Sequence, residues 1–453
     1  MINYEHIETD KTIENMEKLF SKKYGLISGI SNSGWGVIRV PTHDCMYLLG
    51  NAIPMYSTSV VNKSSSLYSG AGVSLNKKMS KMRAYGEFIE RYCGSYMDNE
   101  TAPELIFDSY SNLEKKGVDC LDLGRLLPFY DYQYDCPKFP YSKYSAILPI
   151  SWIKGKELTS CKEVLLPAQK VFIYFCPQSR GESLYIHGMS TGLACGSNYI
   201  SAILSAMYEV VERDSLMLTW LLRLPGSLVV LDKFRSNQLA ELYSHYKMYI
   251  MGGDNLFIYD ISRTTGIYTI LSFIRNDLFG SFGLIVATAS HTDPEIAIYR
   301  TLEELCQSYP AAYALLLKDK KRECYHLKPN EIDTLDKHLL FYSSSHNNKN
   351  IDFVSKGNKI LLLSEMRNNS TGIERSDLDY LLMLFRKAGS SVFVADVTRP
   401  EIRASGFRVL RAIVPEYVDL EPNHNVRHLK SERLRNFQEK FGSDINDNPH
   451  PFP

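Results

Sequence analysis

No two cysteines in this chain are spaced Cys-x-x-Cys; its nine cysteines are scattered from Cys45 to Cys324. That excludes a zinc knuckle built within the chain and a disulfide framework, and it fits a reducing compartment. An excess of either charge is also missing. Lys plus Arg and Asp plus Glu both number 51, so no global field draws the chain to nucleic acid or to an anionic membrane. No stretch reaches the ~18 uninterrupted apolar residues of a membrane helix. The best candidate, residues 269–289, is broken by Arg275, Asn276 and Asp277. The opening Met1-Ile-Asn-Tyr-Glu-His lacks the basic-then-apolar plan of a secretory signal, and the expected location is cytoplasmic. The common phosphate and zinc signatures are missing too: there is no Walker A loop, no kinase His-Arg-Asp loop and no His-Glu-x-x-His.

What the chain does have is a pattern that recurs. In residues 199–216, Ile203, Met207, Val210 and Val211 recur at spacings of three and four, the apolar face of a helix. Ser205, Glu209, Glu212 and Arg213 fall on a second face, and the i, i+3 spacing aims both carboxylates the same way. Taken singly, this is an ordinary wet face, because surface pairs stabilise a helix by only ~0.3–0.5 kcal/mol. The same Glu-x-x-Glu-Arg stands at Glu87, Glu90 and Arg91, in a helix predicted from about Ser74 to Tyr96. A third helix, opened by Asp293 as cap and Pro294 in its first turn, carries Glu304 and Gln307 in the matching slots. Clustered carboxylates repel one another in a low-dielectric pocket unless divalent cations sit among them. Mg²⁺, a hard ion that bridges carboxylates to phosphates, suits that set, and Arg91 and Arg213 suit phosphate oxygens.

Other stretches raise competing readings. Gly70-Ala71-Gly72 begins a dinucleotide fingerprint but lacks the third glycine and a preceding apolar strand. Gly188-Met-Ser190-Thr-Gly192 is a literal nucleophile-elbow string after an expected strand at Ser183–His187. Its helix, however, waits for a cap at Ser197 or Asn198, so a phosphate-facing glycine turn explains it equally well. Further strands are expected at Ala146–Trp152, Val171–Phe175, Ser227–Leu231, Leu256–Asp260, Tyr268–Ile274, Gly283–Ala289, Lys359–Leu363, Ser391–Asp396 and Arg408–Val414. Helices are expected at Thr12–Lys22 and Ser376–Ala388, and a mobile surface loop over 317–350. Pro449, Pro451 and Pro453 enforce an extended tail.

These residues together resemble the YcaO-domain family. Ser69–Gly72 with Arg83–Arg91, Met189–Gly196 with Glu209–Asp214, and Arg300–Gln307 resemble its three helical signatures. Asp336–Tyr342, Arg408–Pro415 and the closing Pro-His-Pro-Phe-Pro resemble its later blocks. The resemblance spans roughly residues 65–453. It implies an α/β (α+β) fold with mixed sheets, in which three quasi-repeated strand- or loop-to-helix units surround one ATP site. Residues 1–60 are then an N-terminal extension packed on the main domain, and 61–453 the YcaO domain with its Pro-rich tail at 446–453.

The Pro-x-Pro-x-Pro end resembles the azoline-forming branch, the cyclodehydratase component of thiazole/oxazole-modified peptide synthetases. The implied reaction is addition of a Cys, Ser or Thr side chain of a ribosomal precursor peptide to the preceding backbone carbonyl. Phosphorylation of the amide oxygen by ATP and loss of phosphate follow, as in bacteriocin maturation. Carried over by position, Glu87, Glu90, Glu209 and Glu212 hold Mg²⁺. Arg91, Ser190, Arg213, Glu304, Gln307 and Arg411 contact ATP. Pro451, Phe452 and Pro453 act on the attacking side chain. The implied partners are the precursor peptide and a separate E1-like or winged-helix protein that recognises its leader, since residues 1–60 resemble neither. An FMN-dependent azoline dehydrogenase and a second copy of the chain complete the set. Backbone thioamidation, a Ser190 hydrolase and a non-catalytic scaffold are the alternatives. Glu416 departs from the family's glycine after Pro415, which puts the local turn in question.

Overall fold

Between Val61 and Ser74 lies a run of serines and glycines that reads as a loop, yet in the computed structural model Ser65–Ser74 is a strand. The structure describes residues 9–452 apart from 22–25, 35–38, 42–45, 49–55, 63–64, 97–102, 250–255, 276–282 and 319–325. The strand pairs antiparallel with Tyr56–Asn62, which pairs in turn with Gly29–Gly34, so this small sheet crosses residue 60. Its glycines serve packing. A Cβ at Gly70 would lie 2.1 Å from the Ala84 carbonyl oxygen, and one at Gly72 2.2 Å from that of Ser80. Only glycine lets this strand lie backbone to backbone on helix α1, Lys77–Gly94, which the Asn76 side chain caps.

Besides a two-stranded pair of Arg39–Pro41 with Met46–Leu48, two larger sheets carry the rest. One runs in the order Ile106–Ser109, Pro149–Glu157, Phe393–Asp396, Arg408–Ile413, Leu193–Gly196, all antiparallel, with Lys162–Pro167 also paired to Pro149–Glu157. The other runs Leu284–His291, Tyr268–Arg275, Leu256–Asp260, Ser227–Val230, Ile360–Leu362, with only the last pair parallel.

Helix α2, Tyr199–Leu221, links the two. Asn198 caps it, accepting from the Ile200 and Ser201 amides at 2.8 and 2.9 Å. Its first half buries Ile203, Met207 and Val210 with Leu410 and Ala412 of the first sheet. Its second half buries Leu216, Met217 and Trp220 with Leu271, Phe273 and Val286 of the second. Helix α3, Pro294–Lys318, starts where Asp293 Oδ1 accepts from the Glu295 amide at 2.9 Å, and it packs Ile298 and Leu302 on the second sheet. The fold is thus mixed α/β with α1, α2 and α3 each entered from a strand or a strand-ending turn, as the sequence pattern implies.

Three expectations fail. Val171–Phe175 is no strand, because a short helix at Ala168–Val171 takes its start. Ser183–His187 alternates like a strand but has no strand beside it. The Gln169 side chain takes that place, accepting from the Tyr185 amide and donating to the Ser183 carbonyl, both at 2.9 Å. The described part of 317–350 is packed, not a mobile loop. Helix α4, Leu335–Phe341, sits there with Ile332, Leu339, Phe341 and Tyr342 buried. The other expected elements stand within a few residues of their places, including Thr9–Glu17 in place of Thr12–Lys22 and Glu374–Lys387 in place of Ser376–Ala388.

The seven described cysteines are all free, and no described helix is long and apolar enough to cross a membrane. Neither Pro415 nor Glu416 has a positive φ, so glutamate fits that turn without strain.

Candidate active site

The closely packed strand delivers a backbone donor to α1: the Ala71 amide donates to Glu87 Oε2 at 2.7 Å. Glu87 Oε1 pairs with Arg91 at 2.6 Å, and Arg91 also reaches the Ser69 carbonyl and hydroxyl, each at 3.3 Å. The glycine turn does the same for α2. Gly192, at φ +79, donates its amide to Glu209 Oε2 at 3.1 Å. Glu212 accepts from the Thr288 hydroxyl at 2.8 Å and lies 3.2 Å from Arg213. Backbone and side-chain donors from three elements therefore hold these carboxylates in place.

The glutamates feel one another across the three helices. Burial pushes Glu209 up to about 7, with Glu212 adding to the rise and Arg213 opposing it. Burial and then Glu212 push Glu304 up to about 8, and Glu209 and Glu87 act on it as well. Glu90 rises well above the usual carboxylate range through burial, Glu209 and Glu87. Glu87, Glu90, Glu209, Glu212 and Glu304 thus form one field of negative charge drawn from α1, α2 and α3.

Burial leaves these carboxylates poorly solvated, and the donor set is all oxygen, which is the chemistry of a hard divalent cation. Among the described residues no three ligating groups converge on one point. Mg²⁺ commonly takes only one or two carboxylates and completes its shell with phosphate and water. Arg213 adds a second sign of fit. It is a buried cation among the carboxylates, and its Nη1 faces Glu212 at 3.2 Å without hydrogen-bond geometry, so the guanidinium can also meet an anion's oxygen.

The other residues singled out from the sequence divide. Phe452 is buried and its ring lies under the Arg213 guanidinium, 4.1 Å from its carbon, so the tail does enter this site. Pro451 is buried beside it, while Pro453 lies outside the described residues. Gln307 is half-buried one turn after Glu304. Ser190 is exposed, its carbonyl accepting from the Leu193 amide at 2.7 Å. Strand Leu193–Gly196 follows it and helix starts only at Tyr199, so the strand–serine–helix geometry of a nucleophile elbow is not formed.

Arg411 is not a solvent-facing ligand. It is 1% exposed and donates to the Thr191 carbonyl at 2.8 Å, to that of Lys170 at 2.9 Å, and to that of Met189. It sits behind the 189–192 turn and fixes it, acting on Glu90 and Glu209 through its charge.

Sequence reasoning passed over two arginines. Arg83 bonds the Val73 carbonyl at 2.7 Å and pairs with Glu303 at 2.5 Å, tying α1 to α3. Arg300 places its charge near Glu212 and Arg83. Both stand four residues before a site glutamate, Arg83 before Glu87 and Arg300 before Glu304. That Arg-x-x-x-Glu spacing puts the pair on one helix face and was the available signal.

Raised carboxylates have a consequence that can be measured without activity. The folded, metal-free protein holds protons on Glu209 and Glu304 that the unfolded chain has lost, so its stability falls as pH rises from the ordinary carboxylate value of 4.5 through about 7 and 8. Melting without ligand is expected to be higher near pH 6 than near pH 8. Mg²⁺ with a nucleotide should erase the difference and release protons on binding, read by calorimetry in buffers of unequal ionisation heat.

A sequence model of the YcaO cyclodehydratase family, described as ATP- and Mg²⁺-binding, matches residues 71–418. Among solved structures, the fold is similar to a heterocyclase in complex with substrate and cofactor, with a TM-score of 0.75 at 19% identity; the match covers 98% of this chain but only 57% of that one. A YcaO protein from Methanopyrus kandleri bound with AMPPCP and Mg²⁺ gives 0.61 at 16% identity, over 91% of both chains. The Escherichia coli microcin synthetase McbBCD complex with pro-MccB17 bound gives 0.61 at 13%, over 96% of this chain and 98% of that one.

Proposed function

This chain belongs to the YcaO family, with ATP and Mg²⁺ as cofactors, and we propose that it is an ATP-dependent peptide cyclodehydratase that forms azolines in a ribosomal precursor peptide. The observation that carries the azoline reading is the seating of Phe452 on Arg213, which brings the chain's end to the carboxylate cluster. A tail that only frayed into solvent would leave the thioamide reading equal to it.

When bound, ATP would supply the phosphoryl group that makes the peptide's amide oxygen a leaving group, and Mg²⁺ would add positive charge between the glutamates and the phosphates. Glu87, Glu90, Glu209 and Glu212 are the proposed metal ligands; Arg91, Arg213, Glu304, Gln307 and the Ser190 turn are the proposed contacts to nucleotide. Arg411 orients that turn, and Arg83 braces Glu303 so that α1 and α3 keep their spacing. Pro451, Phe452 and Pro453 would orient the attacking thiol or hydroxyl of the peptide. The work is positioning and charge neutralisation.

The mass of a precursor peptide tests the reading. The full chain, ATP, Mg²⁺ and a leader-recognising E1-like or winged-helix partner are incubated with a Cys-containing peptide. Loss of one water per ring with ATP consumed is the expected result. Replacement of oxygen by sulfur when sulfide is present would make it a thioamide synthetase, and an unchanged peptide in every combination would overturn both. An FMN-dependent azoline dehydrogenase as later partner, and a homodimer, belong to the same proposal.

A further inference from the structure

A segment with prolines at 449 and 451 has too few N–H groups to enter a sheet, so whatever seats it must donate to its carbonyls. The body does so five times in succession. Arg427 donates to the Asn446 carbonyl at 2.8 Å, His424 Nε2 to that of Asp447 at 2.9 Å, and Trp220 Nε1 to that of Asn448 at 2.9 Å. Tyr342 then donates to the Pro449 carbonyl at 2.6 Å and His338 Nδ1 to that of His450 at 2.8 Å. The last two donors come from α4 and its C-cap, one helical turn apart. His450 returns the contact: its ring stacks on that of His338, with centroids 3.9 Å apart, and its Nε2 donates to the Glu421 carbonyl at 2.7 Å.

Because both rings donate to carbonyls, each already carries its one hydrogen there. The remaining nitrogens, His338 Nε2 and His450 Nδ1, are buried and make no hydrogen bond of proper geometry, although the Phe452 backbone also stands near the His450 ring. A second proton on the pair would be a buried cation, and on His338 its N–H would go unanswered. The charged groups around the pair give it little help. From the 421–428 loop His424 and Arg427 face it, and the Glu421 carboxylate is spent on Arg427 and the His428 amide, each at 3.0 Å. From the tail, Asp447 is turned outward, 4.0 Å from Arg427 and almost fully exposed.

We propose that His338 is the residue that positions the C-terminal tail for the azoline-forming reaction read above, and that a second proton on the stacked His338–His450 pair releases the tail. Burial and the neighbouring cations hold His338 down at about 4 and His450 well below 6.5, so the seated tail binds fewer protons than the released one. Seating is therefore undiminished above 6.5 and weakens as pH falls below it, toward about 4 for His338.

Diethyl pyrocarbonate, which acylates accessible neutral imidazoles, tests the seating without any assay of ring formation. Near pH ~7.5, where imidazole is neutral, His450 in the full chain is expected to react at least about tenfold more slowly than the exposed His187. His338→Ala should remove that protection, while His338→Asn, whose amide can donate where Nδ1 does, should keep it. Protection that survives His338→Ala would overturn the proposal. In the reaction itself, with precursor peptide and partner, ring formation should fall at least about tenfold between pH ~7.5 and ~5.5 while nucleotide binding changes less than about threefold. His338→Asn should move that acid limb lower by about one pH unit, and an unmoved limb would overturn the release step. If no rings form at any pH the functional reading has failed, and the acylation pattern still decides the clasp.

Discussion

Replacing Glu209 by alanine or glutamine is expected to abolish ATP turnover, by at least about 100-fold, the scale at which enzymes lose rate when one preorganised charge contact is removed. Glu209 is where the supports of the site meet: the Gly192 amide holds one oxygen, Arg213 stands 3.7 Å away, and its charge reaches Glu90 and Glu304. Glutamine keeps the shape and the acceptor for Gly192 but removes the charge a cation needs. The same change should not harm the fold. A carboxyl pushed up to about 7 is a repulsive, desolvated group at pH 8, so the ligand-free Glu209→Gln protein should melt higher, by on the order of 1–3 kcal/mol of added stability. A solvated helix face predicts the opposite on both counts: turnover intact and stability unchanged within ~0.5 kcal/mol. Turnover by ATPase assay and melting by calorimetry on one sample separate the two.

How far the sequence could be read depended on whether a signal was local. Asn198 and Asp293 were legible as caps because a cap is a contact within one turn of its own helix. The Glu-x-x-Glu pairs were legible because their spacing fixes a face. The strand Ser65–Ser74 was not, since its residues have poor strand propensity and what holds it is the absence of side chains at Gly70 and Gly72 against α1. Alternation at Ser183–His187 misled for the converse reason. The pattern is real, but a glutamine side chain took the neighbouring strand's place. In the described part of 317–350 the serines and asparagines suggested a surface loop, whereas Thr334 caps α4 and the sparse apolar residues between the polar ones reach the core. Arg411 was assigned to ATP, but its place is decided by three carbonyls brought together from 170, 189 and 191, a tertiary fact no spacing contains.

Deleting Pro451–Pro453 is expected to abolish ring formation while nucleotide binding stays within about threefold. The argument starts from where the tail is held. All five clasped carbonyls belong to residues 446–450, so a chain ending at His450 keeps every one of those donors engaged and should remain seated. What it loses is the Phe452 ring under Arg213 and whatever Pro453 contributes. A cation–π contact of this kind is worth about 0.5–2 kcal/mol, and Arg213 keeps Glu209 and Glu212 as partners, so the nucleotide side should barely register the loss. The attacking side chain of the peptide, by contrast, loses the groups proposed to orient it, and those act only as it attacks. Phe452→Ala should fall between the two, since it removes the ring under Arg213 but leaves Pro451 and Pro453 in the chain. Binding measured with a fluorescent ATP analogue and ring formation measured by mass give the comparison directly. Equal loss of both in the truncated chain would mean that the tail is part of the nucleotide site, and the division of labour between carboxylate helices and chain end would have to be given up.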